Sequence, residues 1–152
     1  MATSTQRRRR LARRRAWLAD LLHRKAVVEV AHARRDVDAA AGRLQAETEA
    51  ATAEHAAIVA EAERAHGLQA AWLDALDGSR RAWYQRRQDA AERLDQARQR
   101  LDHHERLCDR SRSRLHTAER VARRIEHDWQ VAVAVTHQAE LDELAVQRAA
   151  RP

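Results

Sequence analysis

Apolar residues return along this chain at every third and fourth position for most of its length. That rhythm lines one stripe of an α-helix and is the pattern of a coiled coil. A first run opens with Leu11, Leu18 and Leu22, slips near Lys25, and resumes as Val30, Val37, Leu44, Ala51, Ile58, Ala65 and Trp72. Its companion positions are Val27, Arg34, Ala41, Thr48, His55, Ala62, Gln69 and Leu76. A second run pairs Leu94, Leu101, Cys108, Leu115, Ala122 and Trp129 with Trp83, Ala90, Ala97, His104, Ser111, Ala118, Ile125 and Ala132. The alternation from Val131 to Val135 reads alone as a strand, but helical flanks keep it helical, and Leu141, Leu144 and Val146 carry the apolar face onward.

Between the runs lies Asp77-Gly78-Ser79. Glycine suits the left-handed position after a helix end, and serine caps a following helix. The reading is therefore all-α: one domain over residues 1–152, a long two-helix antiparallel coiled-coil hairpin. Helix 1 spans about 6–76, the tip loop 77–79 and helix 2 about 80–149, after a frayed start that Ser4 or Thr5 caps. Folding about Gly78 sets Trp72 against Trp83 or Tyr84, Val37 against Ala118, Val30 against Ile125 and Val27 against Trp129. It also sets a polar layer of Thr48, Ala51 and His55 against His104, Cys108 and Ser111, a device that costs stability and fixes register.

Composition sharpens this. One Pro, as the last residue, and three Gly in 152 residues leave little to interrupt helices. Much of the 44% hydrophobic content is Ala, which suits a thin seam rather than a thick core. The single Cys108 excludes an internal disulfide and suits a cytoplasmic setting. No apolar run is long enough to cross a membrane, and the Arg-rich start leads straight into the heptads instead of a secretory or organellar leader.

The net charge of +6 is unevenly placed. Residues 1–25 carry nine Lys/Arg against one Asp, residues 26–76 four against nine acids, and residues 77–152 sixteen against thirteen. The basic end, Arg7–Arg10 with Arg13–Arg15, is the strongest charge feature. It suits an acidic protein surface. It also suits nucleic-acid phosphates, but the interleaved aromatics of a base-stacking platform are missing apart from Trp17, so the protein partner is preferred. Nine His raise a metal site, with His104 and Cys108 four apart and His55 as a third ligand. Without a second close pair, a polar register layer is the better reading. No carboxylate pair, phosphate loop or nucleophile set has a pocket to occupy, so no enzyme, cofactor or small-molecule substrate is expected. The surplus of Trp72, Leu73, Leu76, Trp83 and Tyr84 exceeds what a turn requires, and Trp and Tyr are favoured interface anchors.

This layout resembles the FliJ/YscO-type stalk proteins of flagellar and type III secretion export machines. The shared features are length, a basic N-terminus opening a helix almost at once, a single long hairpin and charged Arg/Glu/Gln faces. The likeness is architectural, without a residue signature. It implies a non-enzymatic cytoplasmic protein at the inner-membrane export machine. The end bearing Arg7, Arg8, Arg9, Arg10, Arg13, Arg14, Arg15 and Arg148 would enter the hexameric export ATPase. The stretch bearing Trp72, Leu73, Leu76, Trp83 and Tyr84 would touch the cytoplasmic domain of the export gate. Export chaperones are further partners in that family. Two alternatives stand beside it: a basic coiled-coil arm for nucleic acid, and a coiled-coil scaffold that self-associates through an apolar outer face.

Overall fold

The computed structural model describes residues 2–64 and 70–149. All of them are helical: α1 is Ala2–Arg64 and α2 is Ala70–Ala149, and the two pack against each other. The alternating valines from Val131 to Val135 lie inside α2 as expected. α1 starts earlier than expected, so Ser4 and Thr5 lie within the helix rather than at its cap.

The helix break is not at 77–79. Asp77, Gly78 and Ser79 are interior residues of α2, and Gly78 has no left-handed backbone. A lone glycine in a helix costs about 1 kcal/mol relative to alanine. Strong helix formers on both sides absorb that, and Arg81 pairs with Asp77 across the site. α1 is described to Arg64 and α2 from Ala70; residues 65–69, with the expected seam positions Ala65 and Gln69, lie outside the described residues. Moving the break moves every partner. Ile125, expected opposite Val30, instead lines a groove with Leu11 and Ala12.

The chain divides into two compact units. The first comprises residues 1–26 and 107–152. Its α1 seam is Arg9, Ala12, Ala16, Ala19, His23 and Ala26, and its α2 seam runs from Cys108 and Ser111 through Leu115, Ala118, Ala122 and Ile125 to Trp129. Cross-helix contacts order it: Arg9 meets Glu126 and His23 meets Ser111, so the α1 position rises as its partner falls. The second unit comprises residues 27–106. There Val30, Ala33, Val37, Ala40, Leu44 and Ile58 line α1, and Trp83, Ala90, Leu94, Ala97, Leu101 and His104 line α2. Arg34 meets Glu105 and Arg86 meets Glu47 and Glu54, in the same order.

The α2 heptad from Trp83 to Trp129 and the series Val30, Val37, Leu44, Ala51, Ile58 are therefore seam positions, as the periodicity implies, whereas Ala132, the last of the expected α2 positions, is exposed. Of the α1 companions, Ala62 is buried at 3% exposure, but most of the others are not in the seam. Val27, Arg34, Ala41, Thr48 and His55 are exposed, and the seam takes Ala26, Ala33 and Ala40, one residue earlier. Leu11, Leu18 and Leu22 are likewise 48%, 43% and 60% exposed. Small side chains let two helix axes approach, whereas valines and leucines in those places would hold them apart. The most buried residues are Ala12, Ala33, Ala62, Ala90, Leu94 and Ala97, five of them alanine. Alanine thus takes most of the deepest places, while Leu11, Leu18, Leu22 and Val27 are left on the outside.

Candidate functional site

Seven arginines open α1, and the structure sorts them. Arg9 is a seam position. Its guanidinium grips Glu126 through two hydrogen bonds of 2.5 and 2.6 Å, and its Cζ lies 3.9 Å from the centre of the Trp129 ring. Arg13 adds a 3.0 Å bond to the same carboxylate. A two-pronged arginine–carboxylate pair fixes geometry as well as charge. The bonds from Arg9, first, and then the charges of Arg13 and Arg9 hold the Glu126 carboxyl below its usual range against the opposing effect of burial. Arg9 therefore locks the two helices together. Arg7, Arg8, Arg10, Arg14 and Arg15 are exposed, as is Arg148 near the end of α2. Of the eight arginines expected to bind a partner, Arg9 is committed to an internal contact and Arg13 partly so.

About four turns along, Ser111 Oγ donates to the Cys108 carbonyl at 2.7 Å, and His23 Nδ1 lies 3.0 Å from Ser111 Oγ. The serine has one hydroxyl hydrogen, so the ring donates through Nδ1–H. This is the polar layer that the sequence announces, with a different partner. His23 occupies it, while His55 lines a hollow of about 360 Å³ with Ala51, Thr52, Ser79, Arg80 and Trp83. The periodicity hid His23 because the run from Leu11 through Leu18 to Leu22 pointed to another face. Among the described residues no group of three or more His, Cys, Asp or Glu could hold a metal ion.

Trp72, Leu73, Leu76, Trp83 and Tyr84 all lie on one helix, α2, rather than on both sides of a turn. Trp72, Leu76 and Trp83 are half-buried on its inner face, while Leu73 and Tyr84 are 55% and 50% exposed. The rings of Trp83 and Tyr84 are 4.8 Å apart, with Arg80 near Tyr84 and Arg87 near Trp83. Among the described residues, buried Trp83 Nε1 has no hydrogen-bond partner. The expected stapling of Trp72 on Trp83 does not occur, because both belong to the same helix.

The sequence pattern missed the outer apolar residues of α1 in the first unit. Besides Leu11, Leu18 and Leu22, these are Trp17 at 62% and Leu21 at 51% exposure. Leu11 also joins Ala12, Ala118, Val121 and Ile125 in the apolar base of a groove of about 550 Å³, rimmed by Arg8, Arg15 and Arg114. The signal was legible: two competing apolar stripes exist on α1 in this stretch, and only one can be inside. No helix among the described residues is long and apolar enough to cross a membrane. Comparison with known protein families, curated proteins and solved structures gives no match.

Proposed function

We propose that the chain is a long antiparallel coiled-coil hairpin acting as the non-enzymatic stalk of a bacterial type III secretion or flagellar export apparatus. The order of cross-helix contacts in each unit supports the antiparallel arrangement. The observation that carries the stalk reading is the exposed belt of Arg7, Arg8, Arg10, Arg14 and Arg15, held on a helix that Arg9 clamps to α2. A rigidly presented cationic belt suits an acidic ring surface and gives fast, salt-sensitive docking. The partner is the hexameric export ATPase. Leu73 and Tyr84 offer a second surface, which this reading assigns to the cytoplasmic domain of the export gate, with export chaperones as further partners.

The test is a pull-down of a hexameric export ATPase with wild type, with Arg7, Arg8, Arg10, Arg14 and Arg15 changed to Gln, and with Leu73 and Tyr84 changed to Ala. The arginine variant loses ATPase binding and keeps the gate domain, and the second variant does the reverse. ATPase capture undiminished in the arginine variant sinks the reading. The exposed apolar residues of the first unit favour a second reading, a scaffold that self-associates.

A further inference from the structure

The end of α2 carries an acidic apolar segment that none of the described residues covers. Every position from 141 to 148 is exposed, with Leu141 at 47%, Leu144 at 52% and Val146 at 68%. Leu141, Leu144 and Ala145 are spaced to share one helix face, with Glu140 and Asp142 on its two flanks and Glu143 behind. Leucines flanked by carboxylates make a helix suited to a groove that is apolar at its base and cationic at its rims.

The first unit has such a groove, between α1 and α2. Leu11 and Val121, each 48% exposed, lie in its base, and Arg8, Arg15 and Arg114 form its rims, with no carboxylate in its lining. The chain cannot fill it with its own acidic segment. α2 is one continuous helix from Ala70 to Ala149, so Leu141 lies sixteen residues beyond Ile125, roughly 24 Å along the axis at the α-helical rise.

We propose that the acidic end of α2 from a second copy of this chain docks in the groove. Groove and segment are complementary in both shape class and charge, and each copy carries one of each. A two-fold pair therefore makes two equal contacts and closes on itself. Leu141 and Leu144 fill the base over Leu11 and Val121, and Glu140 and Asp142 face the rim arginines. This inference does not rest on the stalk reading, and its assay contains no ATPase.

Sedimentation velocity of the full chain over a wide concentration range tests it. Wild type shows a reversible monomer–dimer equilibrium that weakens with added salt. Changing Leu141 and Leu144 to Asp, or Leu11 and Val121 to Asp, raises the dimer dissociation constant by about tenfold or more, with helix content by circular dichroism unchanged. A charge exchange uses exposed groups only and decides the matter if an apolar variant misfolds. Arg8→Glu with Arg15→Glu, and separately Glu140→Arg with Asp142→Arg, each weaken self-association, and mixing the two variants restores a heterodimer. A chain that stays monomeric at every concentration overturns the proposal and leaves the groove to an acidic helix of another protein. A dimer indifferent to both sets of changes overturns it as well.

Discussion

At the scale of single residues, Gly78 and Glu126 carry opposite lessons. Gly78 looks like a turn residue because it stands between two apolar runs, yet a Cβ built on it meets no atom within 4 Å and the same holds at Gly42. Alanine at either place keeps the backbone it needs and narrows the unfolded ensemble. Gly78→Ala and Gly42→Ala should each stabilise the protein by about 0.5–1 kcal/mol in urea unfolding; a loss of stability at Gly78 would mean that the helix breaks there. Glu126 matters through its charge. Its carboxyl is held below the ordinary 4.5 chiefly by the Arg9 bonds. A depressed carboxylate contributes stability above its unfolded value and loses it as pH falls through its folded value. Wild type should therefore melt above Glu126→Gln at neutral pH, and the gap should close on acidification below about 4.5. A gap that persists at low pH would place the effect in how Glu126 holds Arg9 over the Trp129 ring rather than in charge.

At the scale of the helix pair, the seam is decided by size. The sequence announces both helices, the α2 heptad from Trp83 to Trp129 and one α1 series from Val30 to Ile58, because single-face periodicity survives any choice of partner. It does not announce the register, which depends on where the chain turns, nor the second α1 series, which depends on how closely the backbones approach. Val27 and Ala26 both satisfy a heptad, and only packing selects the alanine. The same limit applied to the candidate site: the arginine cluster was legible, but that Arg9 turns inward to Glu126 was not, since its neighbours are chemically identical. Ala33 and Ala97 are 5% and 2% exposed, so their space is already filled. Ala33→Leu or Ala97→Leu should destabilise by about 1–3 kcal/mol through overpacking. Val27→Ala, on the outside, should change unfolding by less than about 0.5 kcal/mol. Equal effects at positions 27 and 33 would restore the companion series that periodicity alone suggests.

At the scale of the whole molecule, apolar size and charge are distributed in opposite senses. The seam of residues 27–106 holds Val30, Val37, Leu44, Ile58, Leu94 and Leu101. The α1 side of the other unit holds Arg9, four alanines and His23, while its large apolar residues and five free arginines face outward. Burial of large aliphatic groups contributes about 1.5–3 kcal/mol each, and alanine far less. The first unit thus has fewer large aliphatic groups in its seam and relies in part on the Arg9–Glu126–Trp129 clamp, which makes it the natural place for opening. Native-state hydrogen exchange should find backbone amides at 9–26 and 108–129 exchanging faster than those at 30–44 and 90–101, with Arg9→Gln widening the difference. A partner on the basic face, whether an ATPase ring or a second copy, should raise protection in 9–26 and leave 30–44 nearly unchanged. The two partners separate at 141–148, where protection rises on self-association. Faster exchange at 30–44 than at 9–26 would show that the clamp outweighs the aliphatic seam and that the basic end is rigid before any partner arrives.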